Sequence, residues 1–133
     1  MAKRLLSGAI LAGSDLIGAP LQAHHGYSLN YKTEEIGTIE GVVQEVFWAN
    51  PHVHYYLTVT RENGSTQTWD VETHNLRLLQ SHGWKRETVQ AGDRVTVTGY
   101  LGKNGKPRLA GRKFVLEDGT VYSLFGDGNN SSE

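Results

Sequence analysis

The chain has 133 residues, with 13 Lys plus Arg against 14 Asp plus Glu, a formal net charge of −1 and no cysteine. That length suits one domain. The charge balance argues against a strong electrostatic partner such as duplex nucleic acid, which demands a basic face, and the missing thiols exclude a disulfide framework, a thiolate metal centre and a cysteine nucleophile.

The first element is a leader. Met1-Ala2-Lys3-Arg4 is basic, Leu5 to Ala19 is apolar and small, and Leu21-Gln22-Ala23 ends on a small residue. Those three parts in that order predict a secretory signal peptide over residues 1–23. The apolar run is too short and too polar to span a bilayer, so no membrane insertion follows cleavage. The expected location is periplasmic or secreted. Cleavage removes Lys3, Arg4 and Asp15, which shifts the balance slightly further towards acid.

Residues 24–35 are polar and irregular and read as an N-terminal arm. Ile39, Gly41 and Val43 then alternate in one phase, and Val46 and Trp48 continue in the other. A phase flip inside one long strand predicts a β-bulge. Asn50-Pro51 breaks the run. Val53, Tyr55, Leu57 and Val59 alternate as the apolar side of a second strand, with His52, His54, Tyr56 and Thr58 on the other side. Asn63-Gly64 marks a hairpin, and a third strand carries Trp69, Val71 and Thr73 in one phase.

Asn75 can cap a short helix from Leu76 to His82, with Gly83 at its left-handed end. After a turn at Ala91-Gly92-Asp93, a fourth strand holds Val95, Val97 and Gly99. Asn104-Gly105 turns into a fifth strand, Arg108 to Leu116, and a last short strand runs from Val121 to Leu124. Residues 126–133 are rich in Gly, Asn and Ser and read as a disordered tail. The order predicts an all-β fold over residues 36–125. Its form is a small OB-like barrel of five to six strands, with one short helix between strands three and four.

Histidines dominate the candidate chemistry. Cleavage after Ala23 gives His24 a free α-amine, which can chelate one metal ion together with its own ring nitrogen. A further histidine completes a set of nitrogen donors suited to Cu(II), and His25, His52 and His54 are the candidates. His52 and His54 are two apart on a strand, so they share a face. A metal-free reading of the same pair is a polar, solvated outer face. His74 and His82 flank the helix and read as surface residues.

Asp70 and Glu72 lie on one face of strand three and read first as solvated carboxylates. With Tyr56, the clear outward aromatic, they outline a binding face. Trp69 and Tyr55 fall in the apolar phase and read as core. No Ser-His-Asp order stands out and no glycine-rich phosphate loop opens a helix, which favours a binding protein over an enzyme.

The segments AHHGYS, GVVQEVFWANPHVHYYLTV, WDVE and LLQSHGWKRETVQAGDRVTVTGYLGKNGKPR together resemble a widespread family of exported bacterial proteins of unknown function. The matching positions are His24, His25, Asn50, Pro51, His52, Trp69, Glu72, Gly83, Trp84, Gly92 and Asp93. The resemblance implies an exported, barrel-like domain and supplies no reaction.

Two functions fit these residues. One is an exported periplasmic metal-binding protein, with copper as cofactor, that uses the mature N-terminal histidine and hands the ion to a periplasmic protein partner. The other is a non-catalytic OB-like module that binds a protein, peptide or glycan without metal. Nucleic acid is not an expected partner of either.

Overall fold

A computed structural model describes residues 29–124. The expected leader, His24, His25 and the tail at 126–133 lie outside the described residues. The strands are β1 (Tyr31–Phe47), β2 (His54–Thr60), β3 (Thr66–Glu72), β4 (Arg94–Gly102), β5 (Arg108–Leu116) and β6 (Val121–Ser123). One short helix, α1 (Leu76–Ser81), lies between β3 and β4.

The six strands form one sheet in the order β3-β2-β1-β4-β5-β6, and β3 also pairs with β5. That last pairing is parallel and joins Asp70 to Arg108, Val71 to Leu109 and Glu72 to Ala110. The other pairings are antiparallel. The circuit β1-β2-β3-β5-β4 therefore closes on itself, and β6 extends the far half of β5. This is the closed, OB-like all-β arrangement, with its helix between strands three and four, that the sequence predicts.

The phase flip in β1 is a bulge. The register passes from Val43 opposite Leu57 to Glu45 opposite Tyr56, which leaves Gln44 as the extra residue. The bulge lets one long strand keep Val43 inside and then turn Val46 and Trp48 onto the core. A second irregularity lies between β4 and β5, where Thr98 faces Lys113 but Gly99 faces Gly111.

One boundary differs from expectation. The segment read as an arm through Glu35 already belongs to β1 from Tyr31 onward. Tyr31 pairs with Gly102 and is 1% exposed. Residues 33–35 are charged or hydroxylated and exposed, so only one residue of this stretch carries the apolar signal that marks a strand.

The core fills the ring. Tyr55, Trp84 and Phe114 are each buried and meet edge to face or tilted, with ring centroids 5.0 to 6.1 Å apart. Val43, Leu57, Val71, Leu79, Val97 and Leu109 pack around them. Helix α1 starts where the sequence places it. Asn75 Oδ1 accepts the Leu78 N–H at 2.9 Å, and Asn50 Oδ1 accepts the Leu76 N–H at 3.0 Å. Leu79 is buried in the core cluster, and Gly83, at φ +81°, ends the turn.

Gly99 sits at the β4–β5 irregularity, opposite Gly111. A Cβ there would lie 2.0 Å from the Ala110 carbonyl oxygen, which is backbone and cannot rotate away. Gly99→Ala is expected to cost about 3 kcal/mol or more, at the upper end of overpacking penalties. Gly83→Ala, strained by its positive φ but with open space around it, is expected to cost about 1–2 kcal/mol. Urea unfolding of the two variants tests this ranking, and equal midpoints would contradict it.

Candidate functional site

The candidate face is the outer side of β2 and β3. Their register sets Tyr55 opposite Val71 on the inside, and His54 opposite Glu72 and Tyr56 opposite Asp70 on the outside. The side chains bond along the diagonal. His54 Nδ1 donates to Asp70 Oδ1 at 2.7 Å, and His52 Nδ1 donates to Glu72 Oε1 at 2.6 Å. Each histidine thus takes the carboxylate opposite the residue two places further on. The repeat follows from the period of two along β3 and along β2 with the residues that lead into it. The two expected sets, His52 with His54 and Tyr56 with Asp70 and Glu72, are therefore one site.

Two further residues complete it. Tyr31 donates its hydroxyl to Glu72 Oε2 at 2.5 Å. Arg108 Nη2 lies 3.6 Å from Asp70 Oδ2, and its guanidinium carbon is 5.8 Å from the Tyr31 ring centroid. The Tyr56 ring stacks on His54 at 6.1 Å with 14° between planes, and Phe47 meets His54 edge-on at 6.3 Å. The carboxylates are not the solvated pair that alternation suggests. The Glu72 and Asp70 side chains are 16% and 23% exposed, and each is held by at least two partners.

The electrostatics follow from these contacts. The hydrogen bond to Asp70 raises the pKa of His54, against the opposing effect of burial. Burial, reinforced by the bond to Glu72, pushes the Tyr31 hydroxyl well above its ordinary value, so it stays protonated and donates. His74 is half-buried rather than a plain surface residue, with its ring centroid 5.8 Å from that of His52. Burial, helped by the charges of His52 and His82, lowers its pKa. His82 is exposed, as expected, and its ring Nδ1 caps the Leu78 carbonyl at 2.9 Å.

The proton positions decide which rings suit a metal. A histidine that donates from Nδ1 to a carboxylate has its lone pair on Nε2 when neutral, and the bond fixes the direction in which that nitrogen points. His52 and His54 have this arrangement. His74 has the opposite one: its Nδ1 accepts the Asn75 N–H at 3.0 Å, so the neutral ring carries its hydrogen on Nε2. Among the described residues no three His, Asp or Glu side chains gather as a ready ligand set. Sequence reasoning missed Tyr31 and Arg108. Tyr31 is an isolated aromatic in a charged stretch, and Arg108 reaches the site only through the parallel β3–β5 pairing.

His54 and His74 oppose each other in pH dependence. The raised pKa of His54 adds stability in full below its unfolded value of about 6.5, and this fades as pH rises through the folded value. The lowered pKa of His74 leaves stability intact above its unfolded value and removes it as pH falls towards the folded one. In metal-free protein, His54→Gln is expected to make stability climb from weakly acidic to weakly basic pH. His74→Gln is expected to make it fall over the same window. Denaturant midpoints across that range check the two signs, and like slopes in both variants would refute the assignment.

No curated protein and no solved structure matches the chain. A family model does match, over residues 15–110. That span holds every residue of the face just described, from Tyr31 through the histidines and carboxylates to Arg108, together with His24 and His25. The chain therefore belongs to a family of unknown function, DUF6152.

Proposed function

We propose that this is an exported metal-binding protein whose ion is copper. The observation that supports it is the repeated pair of histidines, His52 and His54, each bonded at Nδ1 to its own carboxylate on one sheet face. Such pairs orient an imidazole so that Nε2 can ligate. The remaining donors would be the α-amine and ring of His24, with His25, released when the leader is cleaved. An all-nitrogen set of this kind suits Cu(II) over Mg²⁺ or Ca²⁺, which take oxygen. Bound copper would supply Lewis acidity and a one-electron couple. The protein's own groups would hold the rings in place and keep Tyr31 protonated beside Glu72. The proposed role is binding and delivery of the ion in the periplasm or outside the cell, not catalysis.

A second reading is a metal-free interaction module. It draws support from the way Tyr31 and His52 both close on Glu72, which links β1, the β1–β2 connection and β3. Under that reading the same bonds are structural clamps, and Tyr56 with the neighbouring polar face contacts a protein, peptide or glycan.

Calorimetric titration of Cu(II) separates the two. Protein that begins at His24 is expected to bind, and protein with one extra residue before His24 to bind far more weakly. Glu72→Gln and Asp70→Asn are expected to weaken binding by about 10–100-fold while the fold persists. His52→Ala is expected to weaken binding and leave the metal-free Tm nearly unchanged. Equal binding by the blocked and processed forms would remove the terminal amine from the site. No binding by either form, with a lower metal-free Tm in His52→Ala, would transfer the conclusion to the interaction module.

A further inference from the structure

Beside the histidine–carboxylate pairs lies an open cleft of about 340 Å3, lined by Tyr56, Thr68, Asp70, Lys106, Pro107 and Arg108. Its origin is topological. β5 covers β3 only from Asp70 to Glu72. Before Arg108 the chain turns away, and the Asp70 N–H bonds the Pro107 carbonyl at 3.0 Å. The half of β3 towards Thr66 is left uncovered, and the loop after β4 forms the opposite wall. In small closed sheets of this architecture, the face of strands two and three and the loops after strands one and four commonly carry ligands. Architecture alone assigns none, so the lining must do so.

The lining has a definite chemistry. Lys106 and Arg108 bring two cations. Among the described residues no carboxylate lies within ion-pair distance of Lys106. Asp70 is already occupied by His54 and neighboured by Arg108. The Arg108–Asp70 separation of 3.6 Å exceeds a hydrogen bond, so the guanidinium keeps N–H groups to donate. Tyr56 and Pro107 supply flat apolar surface, and the Thr68 hydroxyl can donate or accept. The volume is near the lower end of small-molecule sites, about 300–1,000 Å3. Two cations are too few to track a nucleic-acid backbone, where affinity comes from many phosphate contacts. A planar guanidinium fork matches a carboxylate in two-point contact.

We propose that this cleft binds a single ring that carries a carboxylate, from either a sugar acid or an aromatic acid. The site does not depend on copper, although its shared Asp70 places the ligand next to the histidines. The test is a titration of metal-free, chelator-free ¹⁵N-labelled protein, read by amide shifts. The probes are glucuronate and benzoate, their neutral counterparts glucose and benzyl alcohol, and inorganic phosphate. At least one acid is expected to give saturable shifts at Tyr56, Thr68, Lys106 and Arg108. Glucuronate alone would assign a sugar acid, and benzoate alone an aromatic one. The neutral counterpart and phosphate are expected to bind at least about tenfold more weakly, and Lys106→Ala to weaken the acid by about tenfold. Lys106 is exposed, so this variant leaves the fold intact. No saturable shift with either acid at millimolar concentration would overturn the proposal. So would equal binding of the neutral ring or of phosphate, or indifference to Lys106→Ala. Because no metal is present, none of these outcomes depends on whether the copper reading holds.

Discussion

Everything on the candidate face depends on the register of β2 against β3. A slip of one residue in β2 would turn Tyr55 and Leu57 outward and carry His54 and Tyr56 into the core, and a slip in β3 would exchange Val71 for Asp70 and Glu72 in the same way. Burial of those three inner side chains, each at 0% exposure, prevents this. A large apolar side chain contributes about 1.5–3 kcal/mol when fully buried, and an ionised carboxylate cannot replace it inside. The inner face thus sets the outer one. The histidines meet their carboxylates because the core allows only one alignment.

Ring closure then adds what two strands alone lack. A hairpin would leave Asp70 and Glu72 at an open edge, largely hydrated. The parallel pairing with β5 covers that edge and brings Arg108 to Asp70. The start of β1 supplies the Tyr31 hydroxyl to Glu72. Half-buried charges are costly unless paired, and here each carboxylate has a histidine on one oxygen and a second group beside the other. The result is an arrangement in which the fold's own contacts set the orientation and tautomer of both rings.

The metal-binding and interaction readings draw on the same atoms, and this has a physical basis. A hydrogen bond between a histidine and a carboxylate can serve either to aim a ligand ring or to fix the segments that carry it. His52 sits in the connection after β1, so the metal reading uses its bond to Glu72 to aim Nε2, and the interaction reading uses it to fix that connection. Asp70 links the two neighbouring regions of the surface. One oxygen faces His54, and the other faces Arg108 at the cleft. A change at Asp70 would therefore be felt on both sides, whereas Lys106 and His52 report on one side each.

Much of the fold was legible in the residues themselves. Strict alternation from Val53 to Val59 revealed β2 and its two faces, and the broken phase between Val43 and Val46 revealed the bulge. Asn75 and Gly83 bracketed the helix, because short-range hydrogen bonding and a left-handed φ are properties of single residues. His52 and His54 were visible as same-face neighbours because side chains two apart on extended backbone lie on one side. Other features were decided by tertiary structure alone. The pairing of each histidine with its carboxylate depends on cross-strand register. The protonated nitrogen of His74 depends on one backbone N–H, and the arrivals of Tyr31 and Arg108 depend on ring closure. Periodicity along a chain specifies which side of a strand a residue occupies. Partners 16 to 41 positions away are chosen by how the core packs, and no local pattern encodes that choice.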